Sequence, residues 1–441
     1  MIVSKFGGTS VGSFEAMQRC ASIIHSDTNR KLIIISATSG TTNDLVALGD
    51  PDLFANEREN ILFRIEQRHL EIIDKCQNKE TVKAVFERDF ASLREHMDYS
   101  GRDKRWQDKL MSFGEIMSTH IFVEILKENG VDAVWLDARE VIRTDSQFSK
   151  AVPDRIAIRK LAEEQIDKSK VTLTQGFIGS DKLGNTTTLG RGGSDFSASL
   201  FAEAVDADTL EIWTDVAGVY TTDPRVVPDA HPISEITFSE AAELSVFGGK
   251  VLHPATLKPA IRSNIDVHVL SSAEPDKQGT WILTETKEKP SIRAMSLRKE
   301  QTLLTLNSLE MLGQSGFLAH IFKVLADHGI SVDLVTTSEV SVALTLDTAF
   351  KASNKVELSD DVIAELSKYA HVKVERNLAL IALIGNDLSA TAGISGPLFN
   401  AMEHHNIRLI CHGASNHNLC FLTEESESEE ILRMLHKKFI N

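Results

Sequence analysis

At 441 residues the chain exceeds what one hydrophobic core usually supports, so two or three domains are expected. Hydrophobic residues make up 42% and charged residues 25%, an ordinary globular composition that excludes extensive disorder. The formal net charge of −16 repels nucleic-acid phosphates and anionic lipid, which sets aside nucleic-acid and membrane partners and requires any anionic ligand to be held by a local cationic site.

The N-terminal region alternates apolar strand patterns with amphipathic helical ones, the signature of an α/β domain with a mainly parallel sheet. Ile2 to Phe6 and Lys31 to Ser36 read as strands, joined by a helix from Phe14 to His25 with Phe14, Met17, Ala21 and Ile24 on one face. From Asn56 to Gly130 the pattern turns helical, with stripes such as Ile61, Ile65, Ile72 and Leu110, Phe113, Met117, Ile121, which predicts a helical lobe over 56–130. Strand patterns resume at Ala133 to Leu136, Val171 to Thr174, Leu210 to Thr214 and Val267 to Leu270. The first domain is expected to span 1–284, and the charged, proline-ended stretch within 285–298 reads as a linker.

The rest of the chain looks duplicated. Gly316 to Thr345 aligns without a gap onto Gly393 to Leu422, pairing Gly316 with Gly393, Phe322 with Phe399, His328 with His405 and Ser338 with Ser415. Each copy reads strand, helix, strand, strand, which suits a small α+β domain occurring twice, over 299–377 and 378–441. Cys20, Cys76, Cys411 and Cys420 are scattered with no CxxC pair and read as reduced core thiols. The N-terminus has no signal-peptide pattern and no segment reaches membrane-spanning length, so a cytoplasmic protein is expected. No Asp, Glu, His or Cys cluster has metal-site spacing; His404, His405, His412 and His417 read as solvated or capping residues, and no protein-held metal is expected.

Two glycine-rich loops carry the chemistry. Lys5-Phe6-Gly7-Gly8-Thr9-Ser10 sits where a strand ends and a helix begins, so Gly7 and Gly8 can bring backbone N–H groups against phosphate oxygens while Lys5 neutralises charge. Thr188-Leu189-Gly190-Arg191-Gly192-Gly193-Ser194-Asp195 again joins strand to helix around an arginine whose fork matches a carboxylate. Asp195 either orients Lys5 or caps the helix.

Both loops resemble signatures of the amino-acid kinase family, and Lys-Phe-Gly-Gly-Thr-Ser is similar to its aspartokinase branch. So are Trp213-Thr214-Asp215-Val216 with Tyr220-Thr221-Thr222-Asp223-Pro224-Arg225, and Phe247-Gly248-Gly249-Lys250-Val251-Leu252-His253-Pro254. The resemblance implies a three-layer amino-acid-kinase domain followed by two ACT-like domains, with ATP-dependent phosphorylation of the aspartate side-chain carboxylate to 4-phospho-L-aspartate. That reaction opens the aspartate family of amino-acid biosynthesis. It assigns aspartate to Thr42, Glu115, Arg191 and Ser194 and ATP to Lys5, Gly7, Gly8, Thr214, Asp215, Tyr220, Arg225, Lys250 and Val251, with Lys5, Asp195 and Lys250 catalytic and Mg²⁺ carried by the phosphates and water. Thr42 followed by Asn43 equally suits a helix cap, and Lys250 a solvated lysine. Glu115 on an apolar face is the less ordinary feature, because an unpaired buried carboxylate is costly.

For the duplicated half the resemblance implies lysine as an inhibitor at Met311, Phe317, Leu318, Ser331, Val332, Asp333, Thr337, Ser338 and Glu339, with Gln314 a departure from the pattern and with homo-oligomers formed through these domains. Loop amides would receive a carboxylate and Asp333 an ammonium. A dimerisation platform without ligand is the alternative, and another acceptor such as acetylglutamate, glutamate, carbamate or UMP, an inactive amino-acid sensor, or a nucleotide-binding structural protein are the competing readings of the whole.

Overall fold

Leu32-Ile33-Ile34-Ile35 is apolar on both faces, a pattern suited to a strand covered on two sides. In the structure, a computed structural model that describes residues 1–99, 101–248, 254–313, 315–346 and 358–440, Leu32 to Ile35 are fully buried inside an eight-stranded sheet. The chain divides into two compact units. The first comprises Met1–Val219, Pro232–Phe238 and Val251–Thr286, the second Tyr220–His231, Ser239–Lys250 and Lys287–Asn441.

The strands of the first unit are β1 (Ile2–Phe6), β2 (Arg30–Ile35), β3 (Ala133–Leu136), β4 (Val171–Gln175), β5 (Ile178–Ser180), β6 (Thr186–Thr188), β7 (Thr209–Thr214), β8 (Glu235–Thr237), β9 (Asp266–Ser271) and β10 (Thr280–Leu283). The large sheet runs β3-β4-β2-β1-β7-β9-β10-β8 and is parallel throughout except where β10 meets β9. One face is covered by the helices Phe14–Ser26 and Lys104–Glu128, whose Met17, Ile24, Met117 and Phe122 join Phe6, Ile33, Ile35 and Leu173 in one core. The helix Gly193–Ala204 packs on β1, β2 and β7 from the other side. Helices Ala55–Ile73 and Lys79–Met97 extend the first layer through Ile65, Phe86 and Leu93. Among the described residues no helix is long and apolar enough to cross a membrane.

A buried charge ties the sheet centre together. Glu211 of β7 accepts hydrogen bonds from Ser4 Oγ at 2.8 Å, Trp213 Nε1 at 2.9 Å and the Arg30 guanidinium at 2.8 and 3.0 Å, so β1, β2 and β7 share one satisfied carboxylate.

The second unit holds β11 (Ala294–Asn307), β12 (Val332–Thr337), β13 (Ser341–Leu346), β14 (His371–Ile384), β15 (Leu409–His412) and β16 (Asn418–Glu424), in a sheet of order β12-β13-β11-β14-β16-β15. The repeat seen in the sequence is a structural one: Gly316 and Gly393, both left-handed at φ 89° and 84°, precede the helices Phe317–Asp327 and Ser395–Ala401. The two long strands serve both copies. Leu303–Asn307 of β11 lies between β13 and the start of β14, whereas Ala294–Arg298 pairs with Leu380–Ile384 of β14, whose other neighbour is β16. The changeover falls at irregularities in register beside the left-handed residues Glu300 and Asn377.

The first copy is therefore inserted into the second, and Ala294 to Arg298, expected as linker, begin a strand that belongs to the second copy. The exposed, charged Lys299 and Glu300 at the irregularity broke the alternation that would have revealed one continuous strand.

Replacing Arg30 by Met leaves Glu211 buried with its main counter-charge gone, and is expected to lower stability by about 3–5 kcal/mol. Chemical denaturation of the first unit checks this. Adding Glu211→Gln should recover part of the loss, and equal stabilities of Arg30→Met and wild type would contradict the account.

Candidate active site

In a mainly parallel sheet, ligands collect at the carboxyl ends of the strands, and the loops leaving β1, β2, β4 and β7 meet there. Gly7 N–H donates to Trp213 O at 3.1 Å, Ser36 N–H to Phe6 O at 3.2 Å and Gly176 N–H to Ile35 O at 2.9 Å, so the four strand ends are stitched side by side. A side chain at Gly8 would put its Cβ 2.8 Å from the Ala37 carbonyl, so only glycine lets the first loop lie against the second.

Lys5 points from the end of β1 into this edge with its side chain 11% exposed, and its Nζ meets Asp195 Oδ1 at 2.6 Å. Asp195 stands in the first turn of the helix Gly193–Ala204. The cap of that helix is Gly192 at φ 70°, which supplies no side-chain hydrogen bond; Gly193 N–H is taken by Gly190 O at 3.0 Å, and the rest of the first turn forms a positive helix end beside a lysine. Asp195 thus orients Lys5 and is not the cap. Ser194 follows in the same turn and is pressed on Gly176, where an added Cβ would come within 2.6 Å of the Ser194 Cβ. Arg191 lies exposed between the left-handed Gly190 and Gly192.

Glu115 approaches from the helix Lys104–Glu128. It is 4% exposed, and its Oε1 accepts one hydrogen bond, from Ala37 N–H at 3.4 Å. Burial pushes its carboxyl up to about 8, outweighing the backbone N–H groups of Ala37 and of Glu115 itself, which favour the charged form. Gly114 brings the helix this close, because a Cβ there would sit 2.9 Å from that of Ala37 and 3.6 Å from Thr41 Cγ2. Thr42 is exposed one residue further on, in the first turn of the helix Thr41–Leu48. It does not cap that helix: the cap is Gly40 at φ 86°.

Thr214 ends β7, its Oγ1 donating to Asp215 Oδ1 at 3.1 Å. Its carbonyl receives Ser272 N–H, and Ser272 Oγ in turn meets Ser10 Oγ at 2.7 Å, joining the first loop to the end of β9. Lys5, Gly7, Gly8, Thr214 and Asp215 therefore share one edge with Thr42, Glu115 and Ser194. Tyr220 and Arg225 belong to the second unit, where Tyr220 is half-buried and Arg225 makes a bidentate pair with Asp223 at 3.0 and 2.7 Å. Lys250 and Val251 lie outside the described residues.

Sequence reasoning missed the groups that hold these loops. Asp108, 1% exposed, accepts from the backbone N–H of Ser149 at 2.9 and 3.0 Å and from the N–H and hydroxyl of Thr188 at 2.8 and 3.0 Å, which pins the start of the arginine loop. Burial holds its carboxyl above the ordinary range in spite of those donors. It stands two helical turns before Glu115, and a second carboxylate on the same apolar face was the available signal. Asp44 pairs with Arg64 and Arg68 at 2.6 and 2.9 Å, and Arg68 also reaches Thr41 Oγ1, so the Thr42 turn is braced from the helix Ala55–Ile73.

In the second unit, Met311, Phe317 and Val332 pack in one apolar cluster. Asp333 of β12 is ion-paired with Arg298, whose guanidinium also binds Gln301 Oε1 at 3.0 and 3.2 Å and Val246 O at 3.3 Å. Ser331, Thr337, Ser338 and Glu339 are exposed, Leu318 is 36% exposed, and Ser338 meets Ser341 Oγ at 2.7 Å; Gln314 lies outside the described residues.

Comparison with known proteins adds an independent line. A model of the amino acid kinase family matches residues 1–271, and an ACT domain model matches 381–439. Lysine-sensitive aspartokinase 3 of Escherichia coli K12 is 49% identical over 442 residues, covering 99% of this chain and 98% of that protein. Two crystal structures of E. coli aspartokinase III, one with aspartate and ADP in an R-state and one with lysine and aspartate in a T-state, each superpose at a TM-score of 0.88 with 48% identity and full coverage of both chains. With the kinase-family match spanning more than half of its length and an aspartokinase matching nearly all of it, the chain belongs to the aspartokinase branch of the amino acid kinase family and carries a C-terminal ACT domain.

Proposed function

We propose that the enzyme transfers the γ-phosphoryl group of ATP to the side-chain carboxylate of L-aspartate, forming 4-phospho-L-aspartate and ADP, and that lysine inhibits it. The observation that carries the catalytic half is the convergence, at one sheet edge, of the Lys5–Asp195 pair, a helix N-terminus with no side-chain cap and a buried carboxyl that accepts a long backbone hydrogen bond.

An aspartate carboxylate is already ionised at neutral pH, so the reaction needs no general base. Catalysis is then positioning and charge neutralisation. Glu115 receives the substrate ammonium, which supplies the cation its buried carboxyl lacks. Arg191 holds a substrate carboxylate, with Ser194 and Thr42 flanking it. Gly7 and Gly8 let backbone N–H groups approach the phosphates. Lys5, aimed by Asp195, neutralises charge on the transferring phosphoryl group while the first-turn N–H groups beside Ser194 face the same anion. Thr214, Asp215, Tyr220 and Arg225 are assigned to the nucleoside, and Lys250 and Val251 to ATP, by resemblance. Arg225 would exchange its Asp223 partner for the nucleotide. Magnesium enters as part of the MgATP substrate, where it would screen phosphate charge.

Lysine is assigned to the first ACT-like copy, with its ammonium on Asp333 and its carboxylate at the loop before Phe317. Arg298 occupies Asp333 in the structure, so lysine must displace a guanidinium to bind. The domain assignment places the catalytic domain over 1–284 and the ACT-like copies after it, with the first strand of the second copy drawn from 294–298. The same half is read as the site of homo-oligomerisation, supported by the exposed Val335, Thr336 and Thr337 on edge strand β12, and the enzyme as cytoplasmic.

ATP consumption with aspartate as acceptor, trapping the acyl phosphate as a hydroxamate with and without lysine, tests the whole reading; no turnover with aspartate rejects it. Lys5→Ala should reduce kcat by about 100-fold or more with little change in KM for aspartate, and an unchanged kcat would remove Lys5 from the phosphoryl site.

Glu115→Gln should raise KM for aspartate at least about tenfold through loss of a charge-assisted bond. The same change should stabilise the free protein at pH 8. The unfolded carboxyl titrates near 4.5 and the folded one near 8, so the native state binds the extra proton and loses about 1.4 kcal/mol per pH unit across that window. Melting temperatures of variant and wild type should converge towards pH 5, and a gap independent of pH would contradict the burial argument.

Asp333→Ala should retain turnover and lose inhibition by lysine, measured as the lysine concentration for half-maximal activity. Undiminished inhibition would remove Asp333 from the effector site.

A further inference from the structure

The C-terminal sheet brings two of the four cysteines together. Cys411 of β15 and Cys420 of β16 are register partners on neighbouring antiparallel strands, and Cys420 Sγ lies 3.7 Å from the Cys411 carbonyl oxygen. Opposed residues on such strands have α-carbons roughly 4.5–5.5 Å apart. A disulfide spans about 4.4–6.8 Å between α-carbons. The register therefore puts the two cysteines within the reach of a disulfide.

The two thiols are chemically unequal. Cys420 is fully buried, whereas Cys411 is half-buried and open to small molecules from solvent, contrary to the expectation of four core thiols. A hydrogen bond from Cys420 draws the Cys411 thiol down to about 7, while that bond and burial push Cys420 upward. A thiol that ionises near ambient pH is close to the best attacking nucleophile in exchange. Cys20 and Cys76 are buried in the core of the first unit and pushed up to about 12 by burial, so they act as internal controls.

We propose that Cys411 and Cys420 form a reversible dithiol–disulfide couple, oxidised by a small-molecule disulfide of the glutathione type. The Cys411 thiolate attacks one sulfur of the small disulfide, its S–S bond breaks, and one small thiolate leaves. Cys420 gives its proton to that thiolate and its sulfur attacks the Cys411 sulfur of the mixed disulfide; the second small thiolate leaves and takes from solvent the proton that Cys411 lost on ionising. Two protein thiols are oxidised and one small disulfide is reduced to two thiols, and the reverse sequence restores the pair. The bridge would join β15 to β16 close to Asp333, whose carboxylate acts on both sulfurs. The couple does not depend on what Asp333 binds.

The test equilibrates the full-length protein with defined mixtures of reduced and oxidised glutathione, blocks free thiols with an alkylating agent, and maps tryptic peptides by mass. The peptide running from Leu409 to Arg433 contains both cysteines, so the expected product is that peptide lighter by two hydrogens, unalkylated, and restored by dithiothreitol. Cys20 and Cys76 should stay reduced and alkylate after unfolding. Cys420→Ser should instead accumulate a glutathione adduct at Cys411, and Cys411→Ser should give neither product. Four alkylatable thiols in wild type at every glutathione ratio, or a stable glutathione adduct at Cys411 in wild type, would overturn the proposal. The wild-type map decides the matter even if a variant fails to fold.

Discussion

An ammonium at the buried end of a strand demands a counter-charge, and the arrangement of the first unit follows from where that charge comes from. Lys5 lies 11% exposed on β1, and Asp195 reaches it from the far side of the sheet edge at 2.6 Å. For Asp195 to be there, the helix Gly193–Ala204 must start abruptly, and the left-handed Gly192 makes that start without a capping side chain. The absence of a cap leaves backbone donors beside the lysine, so the constraint that stabilises Lys5 also builds a place for an anion. Gly176 and Gly8 are the steric counterparts, since each lets a neighbouring loop come nearer than any Cβ would allow.

Two carboxylates on one helix show how burial separates structural from functional charge. Asp108 and Glu115 both face inward from Lys104–Glu128, and burial raises both. Asp108 collects donors from Ser149 and Thr188 and serves as a fixed post for the arginine loop. For Glu115 the Ala37 N–H lies at a long 3.4 Å, and burial outweighs its backbone donors. A carboxyl left that way costs stability in the free protein, and an ammonium bound there, as proposed for the substrate, would remove the cost.

Much of the fold was legible in the sequence because it rests on local periodicity. Leu32 to Ile35 are apolar on both faces, and strand boundaries at Ile2, Ala133 and Val171 match their patterns to the residue. The duplication was legible because helix-start glycines and apolar positions recur in register. Nesting of one copy in the other was not, because it depends on which half of β11 meets which half of β14, a long-range choice that leaves no local mark. At the site, Lys5 and Arg191 announced themselves through glycine-rich loops. Asp44, Asp108 and the Ala37 N–H did not, since their roles arise only when residues tens of positions apart come within 3 to 3.4 Å. The capping alternative for Thr42 fails for a related reason: a threonine before asparagine suits capping, but the neighbouring Gly40 turns left-handed and takes that place.

The nested sheet bears on regulation through its shared strands. Because β11 runs through both copies, the register change beside Glu300 is common to them, and Arg298 sits beside it with three obligations: Asp333 on the edge strand of the first copy, Gln301 on its own strand, and the carbonyl of Val246. A guanidinium has enough donors for all three, but its planar fork cannot keep the set if one partner is taken. A ligand ammonium on Asp333 would therefore act first on Arg298 and through it on Val246, at the end of the helix Phe238–Val246. Coupling of this kind needs no deformation of the packed core, only a change of partners at one cation, and its strength is limited to the difference between Arg298 and the ligand as partners for the same carboxylate.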